Sequence, residues 1–428
     1  MSTQQADRLD ASFAKLWAAS TTSALGTGLS MVAAPLFVAS LSTSPLVVSA
    51  AFGVAWAPYL LFSLPGGVLV DRVDRRRLMV VIDWVRVVAM AVLGVTMLTG
   101  QADIPLLYAV LFVVNTGEAL FRPAGQAMIP AVVPRSKLER ANGWLTGGTM
   151  LMQELIGGPL GGLLFAVSAA IPFLVNAGTY AASAILIGLL AGAYRPTERE
   201  TTVEADDRRR SVKSARADLI EGLRWLGRQR LLRTMAILIG LLNMSLAGAT
   251  AVLVLLARQR LGIGSVGFGL LFTCAALGGI IGSVIGDRLI KWVTATWTIR
   301  IGLLIEASVH LVLATTRSAY LAGFVFFVFG IHASLWTIVS SSLRQRLTPP
   351  DLLGRVSASC QFIGSCGNCV GALLAGAIAA RFGITAPYWV AFVIASLVSA
   401  ATWPVFNRAA VAEAYAPTAV AEPAASPN

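Results

Sequence analysis

Charge is scarce in this chain. Only 13% of its 428 residues are Asp, Glu, Lys or Arg, 56% are hydrophobic, and the mean hydropathy is +0.75. A water-soluble chain of this length needs far more polar cover. There are 21 acids against 33 bases, two histidines and four cysteines. No G-x-x-x-x-G-K-[ST], H-E-x-x-H or G-x-S-x-G occurs, so nucleotide-driven transport and the common hydrolase chemistries have no foothold. The N-terminus lacks the basic, apolar and cleavage-site succession of a signal peptide. Strict alternation over about ten residues, the mark of a membrane β-barrel, is missing too.

What the chain has instead is long apolar runs. They read as twelve spanning helices near 16–39, 46–70, 78–99, 104–128, 143–166, 170–193, 234–256, 267–286, 299–315, 319–341, 357–380 and 385–406. Each is long enough to cross about 30 Å of hydrocarbon as a helix. Helices satisfy their own backbone there, which open structures cannot do. Cys274, Cys360, Cys366 and Cys369 all fall within these runs, so no disulfide framework is expected. Cys366-x-x-Cys369 lies among Gly364, Gly367 and Gly371 and reads as a small-residue packing face, with no metal or cofactor implied.

The net charge of +12 is segregated by side. On the side that holds the N-terminus, the loops and ends carry 27 Lys and Arg. The other side carries four: Arg258, Arg260, Arg317 and Arg381. The positive-inside rule then places both termini in the cytoplasm and leaves no basic face for nucleic acid. The expected divisions are a first six-helix half (1–193), a cytoplasmic linker (194–233), a second half (234–408) and a disordered tail (409–428). Within the linker, 215–233 reads as either a membrane-surface amphipathic helix anchored by Leu219, Leu223, Trp225 and Leu226, or a solvated connector.

The two halves repeat at an offset near 215. Pro134, Leu138 and Arg140 recur as Pro349, Leu353 and Arg355 on what reads as a cytoplasmic loop. Gly66, Asp71 and Arg72 recur as Gly282, Asp287 and Arg288. Both copies face one side, so the repeat is parallel, a design whose substrate site lies between the halves near the midplane.

The segment from Gly67 through Asp71, Arg72, Arg75, Arg76 and Arg77 resembles the signature between helices two and three of the major facilitator superfamily, with Asp74 where that pattern prefers glycine. The resemblance covers nearly the whole chain. It implies a cytoplasmic latch at Gly67, Asp71, Arg72 and Arg75, mirrored by Asp287 and Arg288. Gly157-Gly158-Pro159-Leu160-Gly161-Gly162 resembles the antiporter motif of exporters, carried by Gly158, Pro159 and Gly162; a plain small-residue packing face would look similar. The stretches 120–124, 129–130, 133–135 and 140–143 resemble the branch that holds the enterobactin exporter and the macrolide and multidrug efflux pumps.

An ionisable residue at lipid depth costs at least about 2.5–3.5 kcal/mol and is a site hypothesis by default. Glu154 is the first candidate for a proton-coupling acid and Glu118 the second; Glu118 could equally pair with Arg122 one turn on. Asn115, Gln153, Asn243, His332, Trp336 and Gln361 are candidates for the substrate cavity. His310 follows Glu306 by one turn and reads as an internal pair, while Asp83 and Arg86 read as supports of the latch near the cytoplasmic end. The resulting expectation is an all-α monomer in the cytoplasmic membrane that exports small amphipathic molecules (a drug, antibiotic or siderophore) in exchange for protons. An importer or facilitator of the same fold, and a non-transporting membrane sensor or scaffold, are the alternatives. It is not expected to be an enzyme.

Overall fold

The computed structural model describes residues 10–62, 69–70, 73–190, 194 and 212–406. Gly67, Asp71, Arg72, most of the linker and the 409–428 tail lie outside the described residues. Helices α1 (Ala11–Leu41), α2 (Pro45–Phe62), α3 (Arg75–Leu98), α4 (Ile104–Val132), α5 (Leu138–Val167) and α6 (Ile171–Gly188) form the first half. Helix α7 runs over Arg230–Ala251 and, after a break at Val252, Leu253–Gln259. Helices α8 (Ser265–Val293), α9 (Ala295–Thr315), α10 (Ala319–Leu347), α11 (Leu353–Phe382) and α12 (Ala386–Thr402) complete the second half. Eleven of these are long and apolar enough to cross a bilayer, and α12 is a shorter apolar helix.

The helices wear their apolar residues outside. On α3, Val81, Val85, Val88 and Val92 are exposed, while Asp83 and Arg86 on the opposite face are buried. Water would drive the opposite arrangement; lipid accepts this one. Local signals place the ends. Asp74 caps α3 by accepting from the Arg77 N–H at 3.1 Å, and Asp103 caps α4 through Leu106 at 2.9 Å. The cap accounts for Asp74 where glycine is usual.

Pro134 and Pro349 lie just ahead of α5 and α11. Leu138, Arg140, Leu353 and Arg355 therefore sit in the opening turns of helices, not on the loops expected for them. A proline ahead of a helix loses no bond, because the first turn leaves its N–H groups unpaired anyway.

The halves meet at the end of the bundle opposite the termini. Ser49 and Gly53 of α2 face Gly376 and Leu373 of α11, and Ser265 and Gly269 of α8 face Gly162 and Gly158 of α5. These two seams are copies of each other at the 215-residue offset. Arg258 Nη1 adds a bond to the Ala39 carbonyl at 2.7 Å, joining α7 to α1 at the same end.

A linker helix, Val212–Arg228, docks on the second half. Leu219 and Leu226 are buried against protein, and Trp225 packs on the same cluster. Arg355 at the start of α11 holds Asp218 and Glu221, each at 3.1 Å. The apolar face is thus spent on α11, which differs from both readings of this segment in the sequence.

Candidate functional site

Helix α4 carries Asn115, Glu118 and Arg122 at helical spacing, one polar stripe on an apolar rod. Asn115 donates to its own Leu111 carbonyl at 2.8 Å. Glu118, 16% exposed, accepts from Arg86 Nη2 of α3 at 3.0 Å. Arg86 is fully buried, and its Nη1 donates to Asp83 at 3.3 Å. The guanidinium stacks between Phe121 (5.2 Å) and Tyr180 (5.0 Å). Gly117 lets it pass, since a Cβ there would lie 2.5 Å from Arg86 Nε.

Two sequence expectations are corrected at this point. Glu118 pairs across helices with Arg86 instead of along α4 with Arg122. Asp83 and Arg86 sit along the middle of α3, wrapped by α4 and α6, and not at the helix end where the latch was expected. A buried guanidinium left unpaired would be far costlier than a missing i,i+4 pair at an exposed position, so the long-range pairing prevails.

The trio is out of balance: two carboxylates face one guanidinium. Asp83 Oδ2 is buried with Ser183 beside it and no hydrogen bond closed. With both acids ionised the cluster carries one net negative charge at lipid depth. One proton makes it neutral.

Glu154 lies in a π-helical turn, Leu151–Gly157, in the middle of α5. Pro159, which has no N–H to return to the preceding turn, follows at once. Such turns are frequent at functional sites. The widened turn presses on α1 at Gly28, where a Cβ would come within 2.1 Å of the Gln153 carbonyl. Gln153 itself is half-buried there. The Glu154 side chain is exposed, and Arg122, also exposed, is the charge that acts on it. Arg122 also acts on Tyr59 of α2, as do Glu118, Arg86 and Tyr180, so α2, α3, α4 and α6 contribute to one electrostatic group, to which Arg122 joins Glu154 of α5. The sequence reading missed Tyr59, Tyr180 and the part played by Asp83 and Arg86. A tally of acids and bases inside the spans would have pointed to Arg86 as the partner of its neighbours.

Gly158 and Gly162 of the antiporter-like segment line the seam with α8. Arg75 donates to the Ala127 carbonyl of α4 at 3.2 Å, and Arg76 to the Ile187 carbonyl near the end of α6 at 3.3 Å. Asp287 and Arg288 are exposed close to the end of α8.

In the second half, Asn243 donates to its own Ile239 carbonyl beside Gly364 of α11. Trp336 is half-buried on the helix cluster, and Gln361 is exposed. His332 departs from its expected place on the cavity wall. It is buried against Gly302 and Glu306 of α9, because glycine at 302 opens a slot that the imidazole fills. The pair of Glu306 with His310 is present at 3.5 Å. Among the described residues no cluster suited to a metal ion occurs.

Twelve apolar helices in two repeated halves, with paired charges at mid-depth, define a polytopic membrane transporter. The Major Facilitator Superfamily profile matches residues 16–372, and the chain belongs to that family. It is 26% identical over 365 residues to the MFS-type transporter YkuC of Bacillus subtilis, covering 81% of this chain and 80% of that one. It is 29% identical over 226 residues to the multidrug efflux pump Tap of Mycolicibacterium fortuitum, covering 51% and 53%. Among solved structures, a mutant of the nucleoside transporter NupG superposes with a TM-score of 0.74 at 8% identity, over 93% of this chain and all of that one.

Proposed function

We propose that this transporter exports small amphipathic organic molecules in exchange for protons, by alternating access between its two halves. The observation that carries the reading is the unbalanced Asp83–Arg86–Glu118 cluster. A buried group one proton away from neutrality binds and releases that proton as its access to water changes. Glu154 and Arg122 stand exposed beside it and supply a charged surface for an entering substrate or proton. Export, as the direction, is supported by the Gly158-Pro159-Gly162 seam and by similarity to a pump named for multidrug efflux.

The charge bias puts both termini in the cytoplasm, so the seam end is external and closed, and the other end is where substrate enters. One chain supplies both halves, so a monomer suffices. The domain boundaries follow: 1–193 and 234–408 for the halves, 194–233 for the linker and 409–428 for the tail. The latch residues Gly67, Asp71, Arg72, Arg75, Asp287 and Arg288 act at the cytoplasmic end when the cycle reverses.

Proteoliposomes loaded with a fluorescent cationic dye test the reading. An imposed proton gradient drives dye transport by the wild type, while Glu118→Gln and Glu154→Gln abolish the response to the gradient. Gradient-driven transport undiminished in both variants rules it out.

A further inference from the structure

The two histidines of the chain meet at one carboxylate, far from the cluster described above. Glu306 lies midway along α9, 4% exposed; His310 is one turn on, 1% exposed; His332 comes from the middle of α10, 6% exposed. The carboxylate divides its oxygens. Oε1 is 3.5 Å from His310 Nε2 and Oε2 is 3.6 Å from His332 Nε2. Both distances are longer than a closed N–H···O bond, so neither imidazole is committed to the carboxylate. Both ring nitrogens of His310 lack a hydrogen bond among the described residues. That ring also forms part of the wall of an apolar pocket inside the second half, with Thr250 of α7, Phe326 and Phe329 of α10 and Tyr388 of α12.

The groups facing Glu306 are few. Its own helix offers His310 and α10 offers His332. Across the pocket, the Tyr388 hydroxyl of α12 donates to the Ala249 carbonyl, and Thr250 of α7 bonds to its own Leu246. Among the described residues no guanidinium or ammonium lies within ion-pair distance of Glu306. Charge balance at lipid depth therefore depends on protons. An ionised carboxylate with two neutral imidazoles is net negative, one added proton makes the set neutral, and a second makes it positive. The neutral form is the one a low-dielectric interior favours. The carboxylate lies between the two rings, so that proton has a place on the α9 side at His310 and another on the α10 side at His332.

We propose that Glu306, His310 and His332 form a second proton-binding site in the transporter, in the half opposite Glu118 and Glu154. One proton enters from water onto an imidazole Nε2, is held against the Glu306 carboxylate, and leaves to water when the halves rock. Moving it between His310 and His332 moves a positive charge from α9 to α10. The two helices touch there through the His332 ring on Gly302, so protonation is coupled to their packing. This rests on the proton-coupled reading of transport, in which the first-half site is obligatory and the second half adds a second exchangeable proton.

Because the chain has only these two histidines, 13Cε1-histidine labelling of the full-length protein in nanodiscs reports on the site alone. The two resonances are expected to respond to pH together, and Glu306→Gln is expected to uncouple them. In proteoliposomes, Glu306→Gln is expected to translocate about half as many protons per dye molecule as the wild type, with Glu306→Asp restoring the count. Histidine resonances that do not respond to pH together, or an unchanged proton count in Glu306→Gln, overturn the proposal. If Glu306→Gln does not fold, the wild-type titration decides alone. Titrating histidines in a protein with no proton-coupled dye flux would instead defeat the exporter reading and leave the site standing.

Discussion

Arg86 on α3 donates to Glu118 on α4 at 3.0 Å, and with Asp83 it forms a buried group with one acid too many. The consequences for substitution are opposite for base and acid. Arg86→Ala leaves two carboxylates without a counter-charge and should cost about 3–5 kcal/mol, seen as loss of the monodisperse protein or a steep fall in Tm. Glu118→Gln leaves Asp83 balanced by Arg86, so this variant should fold with a near wild-type Tm while losing gradient-driven transport. Equal thermal damage from both would refute the charge accounting.

Gly158 and Gly162 face the same seam but not equally. A Cβ at Gly162 would lie 2.4 Å from the Ser265 carbonyl, while at Gly158 the closest atom is Phe272 Cβ at 3.5 Å. Gly162→Ala must therefore part α5 from α8, and Gly158→Ala need not. Spin labels at Gln101 and Arg317, both exposed at the seam end, should report a longer distance in Gly162→Ala and an unchanged one in Gly158→Ala. Identical distributions in the two variants would contradict the close seam.

Two kinds of contact hold the linker helix, and their magnitudes differ. The pairs from Arg355 to Asp218 and Glu221 are solvent-screened, worth roughly 0–1 kcal/mol each. Burial of Leu219 and Leu226 is worth about 1.5–3 kcal/mol each. Limited proteolysis should cut Arg355→Ala within the linker little faster than wild type, and a Leu219→Asp, Leu226→Asp double variant much faster. The reverse order would mean that charge, not burial, docks the helix.

Gly302 is the floor under the His332 ring, with a hypothetical Cβ only 2.4 Å from His332 Cε1. Gly302→Ala should displace the imidazole from Glu306 and shift one of the two histidine 13Cε1 resonances while the other moves less. Transport of dye down its own gradient should persist. Two unshifted resonances would show that the ring does not rest where the geometry places it.

Much of the architecture was legible in sequence because it follows from local quantities. Apolar run length set α3 within a few residues, expected over 78–99 and found over Arg75–Leu98, but stopped short of the polar last turns of α8 and α10, which run to Val293 and Leu347. Proline and glycine marked the tightly packed middle of α5, and the offset near 215 marked the two halves as a parallel repeat. These signals need no knowledge of what lies beside a helix. Hydropathy, capping and repeat spacing are read along the chain.

Partnership is not read along the chain, and only the tertiary structure decided it. Glu118 had Arg122 four residues away and took Arg86 from the next helix. His332 looked like a cavity residue and lies buried beside Glu306, 3.6 Å from its carboxylate. Leu219 and Leu226 read either as membrane anchors or as part of a solvated connector, and are buried against the second half instead. In each case the deciding term is the desolvation of a charge or an apolar face, which depends on how adjacent helices are rotated and aligned. The sequence by itself determined that charges are placed at lipid depth; the packing of one helix against the next determined which of them balance.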